Sequence, residues 1–309
     1  MIRYALWRLL QGIPVLLVVA TLTFVLLRFL PGGPFDREKT LPAEILRNIE
    51  ARYHLDEPVT RQYLRYLADL ARGDLGPSYK YVGRDVAQIL REAFPVSVKL
   101  GAVALVLSCV CGVSAGLFAA VRRGSALDRG IMLLALLGVS VPSFVLGAAL
   151  VLGMGLWLGW LPAALWEGPL YAVLPGVTLA ALPTAYIAQL TRTSVIDVID
   201  LDHVRTARAK GLSEGRVRLR HVLRNALVAV VTYFGPLLAV LLTGSFVVEQ
   251  IFAIPGIGRF FVTAVTNRDY PLVMGVTLLY ALLVVLANLT VDLLYGWLDP
   301  RIRLGGREA

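Results

Sequence analysis

The amino-acid sequence predicts an all-α polytopic membrane protein with six transmembrane helices. Its 309 residues are 57% hydrophobic and only 17% charged, and the mean hydropathy is +0.71, which is unlike an ordinary soluble domain. The apolar residues fall into six blocks, each long enough to cross a hydrocarbon core, which takes about 20 helical residues. Within the blocks they do not alternate with polar residues, which excludes the strands of a membrane β-barrel.

The six predicted spans are residues 9–30, 96–121, 131–159, 171–191, 226–249 and 272–298. The first begins like a signal peptide, because Arg3 and Arg8 precede an apolar run. It is long, however, and no A-x-A-like cleavage site follows it. We therefore expect it to be retained as a transmembrane helix.

The segment 31–95 is too long for a simple connection and should carry structure of its own. Pro42 suits the first position of a short helix that has apolar residues at helical spacing as far as Tyr53. Thr60 can cap a second short helix, which Gly73 ends. We expect the two amphipathic helices to form a small cap on the outer face of the membrane.

The distribution of charge predicts the orientation of the chain. The segments on the side of the N-terminus are 1–8, 122–130, 192–225 and 299–309. Together they hold 16 Lys and Arg, whereas the two short loops on the opposite side hold only Arg259 and Arg268. The positive-inside rule therefore places both termini in the cytoplasm, and it exempts long loops such as 31–95. The net charge of +9 reflects this topology, and no motif indicates a nucleic-acid partner.

The spans hold no predicted catalytic or metal site. Gly112, Ser114 and Gly116 match the G-x-S-x-G pattern of serine hydrolases, but they lie inside a predicted membrane helix with no histidine to act as a base. Cys109 and Cys111 point to different sides of the same helix, which argues against a disulfide or a metal site.

Several residues within the spans predict helix contacts instead. Gly112 with Gly116, and Gly155 with Gly159, have the small-xxx-small spacing of closely packed membrane helices. Pro142, like the other prolines in the spans, allows a kink.

The ionisable residues within the spans lie mostly near their ends. Arg28, Lys99 and Glu249 are close to the outer ends, where their side chains can extend to the head groups. Asp292 lies deeper, near the inner end of the last span. We expect Asp292 to make a structural polar contact, and the alternative is that it lines a transport pathway. A proton-driven secondary transporter would hold carboxylates near mid-bilayer, and the sequence shows none there.

The loop 192–225 predicts a helix, a glycine turn and a second helix. Asp202 can cap the first helix and Gly211 can end it, and Ser213 can cap the second. On the first helix Val204, Ala207 and Gly211 share one face.

Small residues on that face would allow another protein to approach the backbone. Arg205 and Arg208 lie on the other side, where they could pair with a partner's carboxylates. The loop is therefore either a docking element or a solvated basic loop next to anionic lipid.

Residues 205–212, followed by 220–227, resemble the EAA loop of permeases in binding-protein-dependent ABC importers. The chain keeps Ala207 and Gly211 of that pattern, but it has Arg205 where Glu is usual and Arg224 where Pro is usual. These departures are typical of the dipeptide and oligopeptide branch of the family. Further resemblance to that branch lies in residues 30–36, 53–58, 73–78, 141–144, 249–258, 267–270 and 298–303.

The resemblance implies a type I ABC importer permease in the bacterial inner membrane, whose loop helix inserts into a groove on an ATPase. The implied coupling residues are Arg205, Thr206, Ala207, Arg208, Ala209, Lys210, Gly211 and Leu212. The implied partners are a homologous second permease, two ATPase subunits, a periplasmic peptide-binding protein and membrane lipid.

The ATPase subunits would bind ATP and Mg, because this sequence contains no G-x-x-x-x-G-K-[ST] phosphate loop. We expect no cofactor and no enzymatic activity in this chain. Oligopeptides are the expected substrate, with dipeptides, glutathione or nickel as alternatives. A secondary transporter or channel without an ATPase is the alternative of another class.

Overall fold

A computed structural model describes residues 2–30, 33–35, 53–242 and 246–298 of the chain. Within these ranges the chain is helical, and the only β-type pairing is an isolated bridge between Pro77 and Asp85. The α-helices of six or more residues are α1 (Ile2–Phe29), α2 (Val59–Ala71), α3 (Val86–Val121), α4 (Ala126–Ser140), α5 (Ser143–Leu150), α6 (Val173–Ile199), α7 (Asp202–Ala209), α8 (Arg224–Leu242), α9 (Phe246–Ile251), α10 (Ile257–Asn267) and α11 (Tyr270–Leu298). The predicted all-α class is confirmed.

Four helical stretches among the described residues are long and apolar enough to cross a membrane. They are Leu6–Phe29, Val86–Val121, Pro169–Ile199 and Tyr270–Thr290. The bent pair of α4 with Ser143–Trp157 makes a fifth if it is one span. Helix α8 covers most of the predicted span 226–249, but residues 243–245 lie outside the described ranges, so the count of six spans stays a prediction.

The predicted third span, residues 131–159, is not one straight helix. It is broken between α4 and α5, and the two parts meet at an angle of 105°. Val141 at the break is extended, with φ −83° and ψ 119°, because a residue before proline is pushed out of the helical region. Pro142 then begins the next helix, and its carbonyl accepts hydrogen bonds from the N–H groups of Val145 and Leu146.

Several helices extend beyond the apolar blocks that predicted them. Helix α3 begins at Val86, ten residues before the predicted start at Val96, and it continues through Pro95. Helix α6 continues to Ile199, eight residues past the predicted end at Thr191. Hydropathy locates the part of a helix that lies in lipid, whereas polar turns at its ends carry no hydropathy signal.

The most extensive helix contact is between α3 and α6, and it confirms the first predicted glycine pair. A Cβ on Gly112 would lie 2.8 Å from the Ile187 Cβ, and one on Gly116 would lie 2.7 Å from the Thr191 Cβ. The second predicted pair was wrong, because Gly159 lies beyond the helical segment Val151–Trp157 in a left-handed conformation with φ +61°.

The first and last long helices, α1 and α11, also pack against each other. Arg8 Nη2 of α1 lies 2.8 Å from Asp292 Oδ2 of α11, so the predicted polar contact of Asp292 is confirmed. Cys109 is half-buried and Cys111 is exposed, and both are free.

The described part of the segment 31–95 contains one of the two predicted short helices. Helix α2 is present, but its N-cap position is Pro58, and Thr60 lies inside the first turn without capping it. Gly73 follows the helix with φ +78°. The other predicted helix, which begins at Pro42, falls on residues 36–52, outside the described ranges.

Glu249 does not extend to the head groups as the sequence predicted. Its side chain is fully buried in the protein, because α10, which lies in a region predicted as a short loop, folds back against it and donates the Arg259 N–H to its carboxylate. Lys99 is exposed, as expected for a side chain that extends out of the protein. Arg28 instead donates a hydrogen bond to Gln62 of α2.

Candidate functional site

The candidate site is the loop helix α7 and the glycine turn that ends it. Leu201 is extended, with φ −70° and ψ 153°, and this breaks the chain away from α6. Leu201 therefore holds the N-cap position that was predicted for Asp202. Asp202 lies in the first turn instead, where its negative charge interacts favourably with the positive end of the helix dipole.

The turn after α7 forms as the sequence predicted. Gly211 has φ +77°, a left-handed conformation that glycine adopts without strain. Its N–H donates to the Arg208 carbonyl at 2.9 Å, and the Leu212 N–H donates to the Ala207 carbonyl at 3.4 Å. These bonds satisfy carbonyls that a helix end otherwise leaves free.

The small-residue face of α7 points into the chain itself, contrary to the docking interpretation. Val204 is 0% exposed and Ala207 is 4% exposed, and both belong to a cluster with Val195 of α6 and Val217 and Val222 of the following segment. Ala207 therefore anchors the helix, and a partner cannot contact it. The spacing showed which residues share a face, but not which neighbour covers that face.

The rest of α7 is accessible, and so is Gly211, which the helical spacing had placed on the face of Val204 and Ala207. Arg205, Thr206, Ala209, Lys210 and Gly211 are all exposed. No described atom lies within 4 Å of the position that a Gly211 Cβ would occupy. The accessible surface of the site is therefore polar and basic, with an open glycine turn at its end.

The two arginines of α7 have different surroundings. Arg208 turns back on the chain, where its Nε lies 2.9 Å from Glu214 Oε1 and its Nη1 donates to the Ile199 carbonyl at 3.3 Å. Arg205 makes a longer contact, with its Nη1 3.8 Å from Asp202 Oδ1, and both side chains are largely exposed. Arg205 and Lys210 are thus the cations that the helix presents, and Arg208 stabilises the turn.

His203 and Asn225, which no sequence motif marks, connect α7 to α8. The Asn225 side-chain nitrogen lies 3.0 Å from His203 Nε2, and the same amide donates to the His221 carbonyl at 3.0 Å. An amide N–H can donate to a neutral imidazole nitrogen. A side-chain contact over 22 residues leaves no periodic signal in a single sequence.

A buried ion pair fixes α6 to α4 a short distance before α7. Arg192 Nε and Nη2 lie 2.6 Å and 2.8 Å from the two oxygens of Asp128, whose side chain is 3% exposed. Asp128 also accepts the Gly124 N–H at 2.9 Å. A bidentate pair of this kind fixes both position and orientation. The Ser125-x-x-Asp128 pattern of a helix start was the available signal for Asp128.

The described residues give no support for a metal site or a hydrolase site. The described residues contain no group of three or more His, Cys, Asp or Glu that could hold a metal ion. Ser114 lies in the middle of α3, and not at the strand-to-helix turn that a hydrolase nucleophile requires.

Comparison with known proteins agrees with this architecture. Residues 1–101 match the N-terminal region described as a binding-protein-dependent transport system membrane component. Residues 112–304 match the family described as a binding-protein-dependent transport system inner membrane component.

Two relatives are similar over nearly their whole length. The oligopeptide transport system permease protein OppB of Haemophilus influenzae is 45% identical over 98% of this chain and 100% of its own. The dipeptide transport system permease protein DppB of Bacillus subtilis is 45% identical over 98% of this chain and 99% of its own.

A solved structure shares the fold. The inward-facing methionine ABC transporter MetNI matches with a TM-score of 0.55 and 19% identity, over 69% of this chain and 97% of that chain. The likeness confirms the predicted fold class, that of an ABC importer permease. Because the family model matches most of its length, the chain belongs to the family of binding-protein-dependent transport system inner membrane components.

Proposed function

We propose that the chain is a permease subunit of an ABC importer that carries oligopeptides across the bacterial inner membrane. The observation that carries the proposal is the 45% identity, over nearly the whole chain, with peptide permeases of two bacteria. The sequence has no phosphate-binding loop, so separate subunits must bind and hydrolyse ATP.

The working complex contains this chain, a homologous second permease, two ATPase subunits and a periplasmic peptide-binding protein. Both termini and the loop 192–225 are cytoplasmic, and the segment 53–85 is periplasmic. The concentration of Lys and Arg in the predicted cytoplasmic segments supports this orientation.

Helix α7 couples the ATPase to the membrane helices. Arg205, Lys210 and the Gly211 turn contact the ATPase, because they are the exposed basic part of the helix. Val204 and Ala207 hold the helix to the rest of the chain through their buried cluster. A displacement of α7 by a closing ATPase is therefore passed to α6 and α8 as movement of a packed unit, since close-packed interiors transmit strain.

The test replaces Gly211 with valine and uses Gly124→Val as the matched control. Both glycines lie in turns with φ near +78°, and no described atom lies within 4 Å of either Cβ position. The backbone strain is therefore alike. We expect Gly211→Val to lower ATP-driven peptide uptake by about tenfold or more, which corresponds to about 1.4 kcal/mol of docking energy, while membrane insertion is unchanged and Gly124→Val transports normally.

A second variant separates contact from strain. Asn tolerates the left-handed conformation better than valine, so Gly211→Asn restores the turn but still adds a side chain to the surface. Loss of uptake in both Gly211 variants indicates a closely approaching ATPase. Normal uptake by Gly211→Val, or equal loss in Gly124→Val, would contradict the docking role of the turn.

Dipeptides are the second candidate substrate, because the dipeptide permease of Bacillus subtilis is as similar to this chain as the oligopeptide permease is. Competition between labelled dipeptides and longer peptides in an uptake assay separates the two. A carrier that moved peptide with no ATPase subunit present would be a secondary transporter instead.

A further inference from the structure

Two neighbouring cavities lie between the first and last long helices. The larger has a volume of about 540 Å³, and all of its lining residues in the described part of the chain are apolar, among them Leu16 and Leu17 of α1, Leu70 of α2 and Leu282 of α11. On α11 the lining runs from Gly275 to Leu282, which is about 7 to 18 Å from the start of the helix at 1.5 Å per residue. The cavity therefore lies at the depth of the acyl chains of one leaflet.

The smaller cavity, of about 290 Å³, adjoins the larger one on the side of the outer segment. The two share Leu75 as a lining residue. Its polar lining includes the cations Arg28 and Arg65 and the carboxylates Asp69 and Asp74. Both charge signs thus occur in a small space at the end of α1, where the lipid head groups begin.

Tyr66 gives an independent indication that the smaller cavity holds a ligand. It lines that cavity, yet its hydroxyl is buried and has no hydrogen-bond partner among the described residues. Burial raises the pKa of Tyr66 to about 12, so the hydroxyl stays protonated and can donate. Native proteins rarely leave such a donor unsatisfied.

We propose that the two cavities together bind one phospholipid with a zwitterionic head group, taken from the leaflet nearest residues 53–85. An acyl chain occupies the apolar cavity. The phosphate accepts hydrogen bonds from the Tyr66 hydroxyl and from Arg28 and Arg65, and the head-group amine lies near Asp69 and Asp74.

The existing bonds of the two arginines are compatible with this arrangement. Arg28 bonds to Gln62, and Arg65 Nη2 lies 2.7 Å from Glu57 Oε1. A guanidinium has more N–H donors than these bonds use.

A peptide could also present an amine and a carboxylate, but it would leave the larger cavity empty. Filling 540 Å³ of apolar space inside the membrane requires a long apolar group, because burial of apolar surface is favourable and polar backbone is costly there. The bound lipid would fill the gap between α1 and α11 next to α2, none of whose thirteen residues is fully buried as a whole.

The experiment measures phospholipid retained by the full chain, purified in mild detergent with the subunits that accompany it and counted by native mass spectrometry. We expect one phospholipid per wild-type chain. Leu16→Trp fills the apolar cavity and should lower retention about tenfold or more, since each excluded methylene removes favourable burial. Leu22 of the same helix is 54% exposed, and the control variant Leu22→Trp should retain lipid normally.

Tyr66→Phe tests the head-group site without breaking any hydrogen bond that the structure records. We expect it to lower retention about fivefold, the value of one typical hydrogen bond. Should Leu16→Trp fail to fold, Ala71→Leu narrows the same cavity from α2.

Four results would overturn the proposal: no phospholipid on the wild-type chain, a peptide mass in its place, wild-type retention by the cavity variants or by Tyr66→Phe, or equal loss in Leu22→Trp. The assay is independent of ATP and of uptake, so its failure leaves the proposed transport function intact.

Discussion

The carboxylate of Glu249 joins three parts of the chain. Glu249 is fully buried, and it accepts hydrogen bonds from Ser97 Oγ of α3 at 2.8 Å and from the Arg259 N–H of α10 at 3.2 Å. Ser97 Oγ in turn accepts the Ile257 N–H at 2.9 Å. A buried carboxylate is costly unless hydrogen bonds compensate it, so these bonds are what allows α9 and α10 to fold back onto α3.

Replacing Glu249 with leucine should destabilise the protein strongly. The change leaves Ser97 and the Arg259 N–H without their acceptor, and unsatisfied buried groups cost about 1–3 kcal/mol each. We expect the free energy of unfolding to fall by about 3 kcal/mol, measured by thermal unfolding in detergent. The neighbouring Gln250 is exposed, so Gln250→Leu is the matched control and should have little effect. Equal stability of the two variants would show that the Glu249 bonds are not structural.

The prediction was right for Asp292 and wrong for Glu249, and the difference shows what the position of a residue in a predicted span can predict. Asp292 was predicted to make a polar contact, and it pairs with Arg8. Glu249 was predicted to extend outwards, because it lies near the end of an apolar block. Distance from the end of a block gives depth along the helix axis, but the direction of the side chain depends on how α10 folds back. The hydropathy of the sequence does not predict how α10 folds back.

At the scale of helices, the contact between α3 and α6 depends on glycine. The Cβ of a residue at position 112 would lie 2.8 Å from the Ile187 Cβ and 2.9 Å from the Thr184 carbonyl oxygen. A backbone oxygen cannot move aside without displacing α6. Overpacking of this kind costs about 1–3 kcal/mol or more.

Gly112→Leu should therefore separate α3 from α6, whereas Ser114→Leu should not. Ser114 lies two residues away on the exposed side of α3, so the control places a leucine on the same helix, away from α6. We expect the Gly112 variant to lose about 3 kcal/mol of stability or to aggregate, measured by thermal midpoint and by the yield of monodisperse protein. If Ser114→Leu were equally damaging, the effect would come from added bulk in lipid and not from the helix contact.

Spacing alone predicted some of these elements and misjudged others. The glycine pair at 112 and 116 was predicted correctly, because both residues lie well inside one helix. The pair with the same spacing at 155 and 159 was not, because Gly159 lies beyond the end of its helix with φ +61°. The helix and glycine turn of α7 were predicted from Gly211, but the side on which the chain covers α7 depends on Val195, Val217 and Val222, which lie outside the helix and its periodic pattern.

At the scale of the whole molecule, α7 is connected to the helices that precede it and to the helix that follows it. Before it, the ion pair of Arg192 with Asp128 fixes α6 to α4. After it, His203 and Asn225 connect it to the start of α8. A force on the exposed face of α7 would therefore act on three helices, α4, α6 and α8. This arrangement suits a coupling element better than a loop that merely contacts lipid head groups.

That role requires α7 to lie on the opposite side of the membrane from α2, which cysteine labelling can test. In a background with Cys109 and Cys111 replaced by alanine, single cysteines are placed at Arg72 and Lys210. Both positions are exposed, so a difference in labelling reports sidedness and not burial. We expect a membrane-impermeant thiol reagent to label Arg72→Cys in intact spheroplasts at least about tenfold faster than Lys210→Cys, because the positive-inside rule places the basic loop in the cytoplasm. Opening the membrane should make the two rates alike. Fast labelling of Lys210→Cys in intact spheroplasts would place α7 outside the cell, where no ATPase could dock on it.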